Sequence, residues 1–300
     1  MNRFANPEVV CEGWYPIGRA RTIRRGKIKR VPIGKRDVVV YRDFSGDLHA
    51  VERACGHLGA DLSLGKVIDK GLQCAFHKWC WNADGSCANG ARIETYAVLE
   101  RWGIVWVWAG DSPAYELPMP EPPNRAHVLR LPMQRIGCHP HVILGNGLDV
   151  AHVVGVHRFH FEDEPAVEAE PPHRLSVSVH AHFHTTFMRY ILGLARRSAS
   201  WTFTTIGPSL AWVKVDSPTP FELVWAARPL PDGGSATQTI FFLPRWRSLT
   251  RAVPMMVATS WADRRVLSGL EFRDGFVASD AIFERYANLV EEMPEWSPSC

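Results

Sequence analysis

"RACGHLGADLSLGKVIDKGLQCAFHKW", residues Arg53–Trp79, holds two thiols and two imidazoles in two short clusters. These are Cys55-x-His57 and Cys74-x-x-His77, with 16 residues between them. Four soft or borderline ligands so close in sequence are a metal-binding signal. A Cys2His2 zinc site is the simplest reading of the ligand set. The ligand order argues against it: zinc fingers group a Cys pair and a His pair ahead of a helix, whereas each loop here brings one of each and follows a β-rich run. Two such loops suit a binuclear [2Fe–2S] cluster, with Cys55 and Cys74 on one iron and His57 and His77 on the other. Neutral imidazoles in place of two thiolates make such a cluster less negative and easier to reduce. Cys80 and Cys87, just beyond, read as ordinary packed thiols.

Outward from this stretch, residues 14–110 read as short strands and turns. "RDVVVYRD" and "LHAVE" flank the turn chemistry of Ser45-Gly46-Asp47, and "GLQCAF", "TYAVLE" and "GIVWVW" are further β-rich runs. A small all-β domain over 1–112 follows. "AGDSPAYELPMPEPPNR" then places five prolines between Pro113 and Pro123, which predicts a linker over 113–125. In 126–300, "HVILGNGLDVAHVVGV" predicts a helix despite its β-branched residues and glycines. "RLSVSVHAHF" alternates, placing Val177, Val179, Ala181 and Phe183 on one face. "SASWTFTTI", "LAWVKVDS", "FELVWAARPL" and "TQTIFFLP" continue an antiparallel sheet, and two helices are expected at about 249–272 and 279–292. The fold class is α+β.

At Cys55, His57, Cys74 and His77 the chain resembles a Rieske domain. Ala60 stands where Rieske proteins of respiratory complexes carry an extra, disulfide-bonded Cys, so the loops look like those of oxygenases and their ferredoxins. A second motif, Asn146-x-x-Asp149-x-x-His152-x4-His157, extends the resemblance over the chain to the Rieske non-heme iron oxygenases. Taken alone, two histidines in a His-rich chain are often packed or surface side chains. Five residues apart, they sit about 140° around an ideal helix and share a metal only if the helix ends between them, where Gly155 lies. The resemblance implies that His152 and His157 bind a mononuclear Fe(II) together with a carboxylate. Asp263 in "SWADRRVLSGLEF" best matches that ligand position, with Glu271, Asp274 and Asp280 as competitors, and Ala262 stands where many relatives have an acid.

The resemblance implies further roles. Asp149, one helical turn before His152, would hydrogen-bond it and couple it to His77 of a neighbouring subunit in a homotrimer. Asn146 looks like the family's nearby polar residue. The carboxy-terminal half is expected to be a helix-grip catalytic domain, and electrons would come from a separate reductase or ferredoxin, since no dinucleotide or flavin fingerprint occurs. O2 and a hydrophobic small molecule, such as a polycyclic or aromatic compound, would be the substrates. Hydroxylation is the first reading and O- or N-demethylation the second. A Rieske electron-transfer or sensor protein without oxygenase activity is the alternative from another class.

The remaining features exclude more than they assign. With 34 Lys+Arg against 31 Asp+Glu, the net charge of +3 is too balanced to argue for nucleic acid. No stretch approaches the roughly 20 apolar residues of a membrane span, the first residues lack the apolar core of a signal peptide, and the Cys spacings form no disulfide framework. A cytoplasmic protein is therefore expected. The basic stretch Arg21–Arg30 reads as a solvated face or a docking surface for an acidic partner. His180, His182 and His184 share one strand face opposite the apolar row. Trp79, Trp81, Trp106 and Trp108 read equally as a shield for the cluster or as core packing, and Phe187, Trp201, Trp212, Trp225 and Phe241 as cavity walls or as ordinary core.

Overall fold

The computed structural model describes residues 2–117, 127–183, 198–217, 220–244 and 261–297. The chain divides into two compact units. One comprises residues 7–116, 228–232 and 294–300; the other comprises 1–6, 117–227 and 233–293. Most of the Pro-rich stretch, together with His184 and Phe187, lies outside the described residues.

The first unit contains ten strands: β1 (Gly13–Arg19), β2 (Ile28–Ile33), β3 (Arg36–Arg42), β4 (Leu48–Glu52), β5 (Lys66–Ile68), β6 (Gly71–Gln73), β7 (Cys80–Asn82), β8 (Thr95–Tyr96), β9 (Val98–Arg101) and β10 (Ile104–Ala109). They form three sheets, ordered β1-β10-β9, β2-β3-β4-β8 and β5-β6-β7. The unbroken apolar run of β3 has a simple cause. Its side chains alternate between faces, and both faces are covered. Val38 and Val40 enter one core with Tyr15 and Ile17, whereas Val39 and Tyr41 enter another that contains Cys55, Leu62, Cys74 and Trp81. Trp79 packs against that second core. Trp106 and Trp108 are fully buried elsewhere; Trp108 meets Trp14 and Tyr115 edge-on. Of the four tryptophans weighed as a shield for the cluster, two therefore pack with its thiols.

The second unit is built on a nine-stranded sheet. Its strands are β11 (His127–Arg130), β12 (Gln134–Ile136), β13 (Phe159–Phe161), β14 (Ala166–Glu170), β15 (Arg174–Phe183), β16 (Ser198–Ile206), β17 (Leu210–Ser217), β18 (Phe221–Pro229) and β19 (Ser235–Leu243). The order is β11-β19-β18-β17-β16-β15-β13, with β12 on β19 and β14 on β15. In β15 the expected alternation holds: Val177, Val179 and Ala181 are buried while His180 and His182 are exposed, and His182 Nε2 lies 3.0 Å from Glu162 Oε1.

The helices depart from expectation in two places. The single helix expected in "HVILGNGLDVAHVVGV" is two short ones, α1 (Pro140–Asn146) and α2 (Val150–Gly155). The Gly147–Asp149 break is stabilised by Asp149, whose Oδ1 accepts the His152 backbone N–H at 2.8 Å and caps α2. Gly147 is also a point of close approach: a Cβ there would stand 2.1 Å from Phe203 Cε2. Towards the carboxy terminus, helical residues 261–267 stop short of the expected 272, and an irregular segment with a short 3-10 turn, Ala278–Asp280, leads to α3 (Ala281–Glu292). The part of that expected helix before 261 lies outside the described residues.

Candidate functional site

Cys55 and Cys74 open two loops built alike. In each, the cysteine N–H donates to the carbonyl five residues on: Cys55 to Ala60 and Cys74 to Trp79, both at 2.8 Å. In each, the residue four places after the cysteine adopts a left-handed conformation, Gly59 at φ 72° and Lys78 at φ 62°. Glycine takes this conformation freely, whereas Lys78 holds it at a cost. The loops thus turn back on themselves, with thiols inward and imidazoles outward. Cys55 and Cys74 are buried; His57 and His77 are exposed, their ring centroids 4.7 Å apart. Trp79 stacks on His57 at 4.3 Å with the rings nearly parallel.

Burial pushes the Cys55 thiol above its ordinary pKa, with the neighbouring Cys74 adding to the effect. Trp81 Nε1 is buried against the Cys55 sulfur and favours its thiolate, the form that binds a metal. A single tetrahedral ion requires all four ligand atoms close together. Among the described residues, the only group of three or more Cys, His, Asp or Glu ligand atoms mutually within 4.8 Å lies elsewhere. The Cys/His quartet is spread more widely, as two metal atoms require.

That other group is His152, His157 and Asp263. His152 lies in α2, directly above the Asp149 cap, and α2 ends at Gly155. The chain then turns through Arg158, at φ 58°, into β13. His157 stands in the turn just before it, where Val156 and Arg158 still donate to the His152 and Val154 carbonyls, and its ring lies beside that of His152; Asp263, 111 residues after His152, delivers its carboxylate from 261–267. His152 Nε2 stands 3.1 Å from His157 Nε2 and 2.9 Å from Asp263 Oδ1, and His157 Nε2 stands 2.8 Å from the same oxygen. Adjacent ligands on an octahedral ion with bonds of about 2.1 Å lie about 3 Å apart, and on a tetrahedral ion about 3.4 Å. The observed spacings fit one octahedral face, the arrangement of a 2-His-1-carboxylate iron site.

Burial would raise the Asp263 carboxyl, but the two adjoining imidazoles outweigh it and hold the pKa below the usual value, keeping the carboxylate charged. Asn146 Nδ2 lies 3.2 Å from His152 Nε2. Asp149 meets the His152 backbone, whereas a bond to the imidazole was expected. Glu271, Asp274 and Asp280 stand outside the trio; Asp280 Oδ2 instead accepts from Val277 N–H.

The trio opens on a cavity of about 300 Å3, at the low end of small-molecule sites. Its wall is one face of the sheet, read at every second residue: Ala199, Trp201 and Phe203 on β16, Val213 and Val215 on β17, Leu223 and Trp225 on β18. Phe241 lies on β19 of the same wall, and Trp201, Trp225 and Phe241 had been picked out in the sequence. Trp212 points elsewhere and donates to Glu222 Oε2. Phe159, Phe203, Trp261 and Thr239 were missed. The alternation of β16 signals Phe203, but nothing local distinguishes Trp261 or Thr239.

Residues 13–100 match the family model of the Rieske [2Fe–2S] domain. The chain is 31% identical over 169 residues to a 3-ketosteroid-9-alpha-monooxygenase oxygenase component of Rhodococcus rhodochrous, covering 51% of this chain and 45% of the relative. It is 32% identical over 130 residues to a 5,5'-dehydrodivanillate O-demethylase oxygenase subunit of Sphingobium sp., covering 38% of this chain and 31% of the relative. The matched stretch thus spans less than half the length of either curated relative. Among solved structures, NdmA of Pseudomonas putida CBB5 with caffeine superposes with a TM-score of 0.74 at 17% identity, over 93% of this chain and 89% of that one.

Proposed function

Because residues 13–100 belong to the Rieske [2Fe–2S] domain family and the chain has the fold of the Rieske oxygenases, we propose that it is the terminal oxygenase component of a multicomponent system. It takes electrons from a separate reductase or ferredoxin and hydroxylates a hydrophobic small molecule with O2. The observation that carries this reading is the His152/His157/Asp263 trio opening directly on an apolar, aromatic-walled cavity. A protein that only carried electrons or sensed redox state would not need three convergent ligands there.

In this reading residues 1–112 are the Rieske domain, 113–125 the linker and 126–300 the catalytic domain. Cys55, His57, Cys74 and His77 hold the [2Fe–2S] cluster, and His152, His157 and Asp263 hold Fe(II). When bound, these groups supply one-electron delivery and O2 activation. The chain's own residues do the rest. His57 and His77, exposed on the single chain, present the edge through which electrons pass. Trp201, Phe203, Trp225 and Phe241 exclude water and hold a flat apolar substrate against the open side of the trio. Asn146 places its amide beside His152 Nε2, the nitrogen that would bind the metal, and so lines the site as a polar neighbour.

Exposed Leu58 and Phe76 flank the cluster histidines and support burial of this tip against a second copy of the chain. We place it on the next protomer of a homotrimer, where Asp149 would link His77 of one subunit to His152 of the other. The six described cysteines are all free, which supports a reducing, cytoplasmic setting, and no helix among the described residues is long and apolar enough to cross a membrane. Resemblance to an O-demethylase subunit supports the second reading, since hydroxylating a methyl group on O or N releases formaldehyde.

The test is metal analysis with EPR of the reduced protein. The reading expects about three irons and two sulfides per chain, falling to two irons in His152→Ala with the Rieske signal intact. Two irons in both proteins would leave an electron carrier and sink the oxygenase reading.

A further inference from the structure

From Arg19 to Arg36 the chain carries nine basic residues and no acidic one, although the whole protein nets only +3. The structure sorts these side chains. Lys29 turns inward, where its Nζ donates to the Ile17 carbonyl and burial lowers its pKa. Arg30 pairs with Asp37 and Asp61, Lys35 pairs with Glu8, and Arg36 stacks over Trp296. Arg21, Arg24, Arg25 and Lys27, in the loop between β1 and β2, are exposed, and none forms an ion pair among the described residues. A surface that is merely solvated usually mixes signs; four uncompensated like charges within seven residues repel one another and favour an anionic partner.

This loop is joined to the cluster. Ile28, next to Lys27, packs against the core that contains Cys55 and Cys74. Arg30 Nη1 donates at 2.8 Å to Asp61 Oδ2, and Arg53 stands 3.8 Å from the same oxygen. Asp61 in turn caps the short helical turn Leu62–Leu64 that closes the first ligand loop. The basic surface therefore leads to the loop that exposes His57.

We propose that the loop containing Arg21, Arg24, Arg25 and Lys27 is the docking site of an acidic iron–sulfur electron carrier. One electron leaves the carrier's reduced cluster and enters the Rieske cluster, with no bond formed and no proton required. The proposal rests on the reading that Cys55, His57, Cys74 and His77 hold that cluster. Electrostatic steering of this kind raises association rates by about 10–1,000-fold and is screened by salt.

The test uses the full chain and an oxidised, acidic plant-type [2Fe–2S] ferredoxin, with binding measured at low and high salt. The expected result is salt-sensitive binding that weakens at least about tenfold in the triple variant Arg21→Glu/Arg24→Glu/Lys27→Glu. Reduction of the variant's cluster by photoreduced deazaflavin and its EPR signal should be unchanged, which shows that it is folded and loaded. No binding by the wild type, binding indifferent to salt, or wild-type affinity in the triple variant would each overturn the proposal. A wild type without a Rieske EPR signal would instead overturn the oxygenase reading, and the binding measurement would still decide the docking.

Discussion

His152 Nε2 faces His157 Nε2 at 3.1 Å, with the Asp263 carboxylate within 2.9 Å of both. Each imidazole nitrogen offers one lone pair or one proton, so a single nitrogen cannot satisfy three neighbours at once. Convergence on a shared cation satisfies all of them. Removing any one ligand should therefore empty the site without disturbing the other metal centre. Asp263→Ala is expected to lose one iron per chain and at least about a hundredfold in substrate turnover, with the Rieske EPR signal retained. Full iron content in this variant would remove Asp263 from the ligand set.

Asp149 separates capping from coupling. Asn is as good a helix cap as Asp, so Asp149→Asn should preserve the thermal midpoint, whereas Asp149→Ala should cost about 1 kcal/mol. If the carboxylate also links two protomers, Asp149→Asn will lose turnover at least about tenfold while remaining stable and fully loaded with iron. Wild-type turnover in Asp149→Asn would reduce the residue to a cap.

Gly147→Ala acts on the cavity. Gly147 has helical geometry, so the added methyl causes no backbone strain, but it collides with the outer edge of the Phe203 ring. That ring lines the cavity, so displacing it reshapes the space for substrate. The expected outcome is a changed substrate KM with iron content intact, and a stability loss of about 1–3 kcal/mol at most. Pairing it with Phe203→Leu should restore binding of the original substrate.

His139 and His141 predict acid sensitivity. Both are buried at the start of α1; burial pushes the His139 pKa down to about 4, and burial together with neighbouring His139 lowers His141 further. The unfolded chain titrates near 6.5. Between about pH 6.5 and 4 it therefore binds more protons than the folded chain, and stability falls as pH drops. His139 Nδ1 accepts the His141 N–H as a cap, which Asn can replace. Denaturation midpoints of His139→Asn should fall less between about pH 7 and pH 5 than those of the wild type; an identical slope would refute the assignment.

Legibility in the sequence followed the range of the interactions. The Cys55/His57 and Cys74/His77 pairs were readable because each lies in a loop that folds on itself, by its own backbone bonds, within six residues. β15 was readable from alternation, and β3 and β10, buried on both faces, from unbroken β-branched and aromatic runs. The break between α1 and α2 was not, because Gly147 and Asp149 have ordinary roles within helices as well as at their ends.

By itself, then, the sequence determined the Rieske domain and its candidate ligands, the β-rich character of both halves and the candidate pair His152 and His157. Only the tertiary structure brought Asp263 to that pair from 111 residues away, and only it chose Trp201 and Trp225 over Trp212 as cavity wall. The physical reason is that a coordination sphere and a cavity are defined by which faces meet. Local patterning specifies that a strand has two faces, whereas packing decides which one closes around the site.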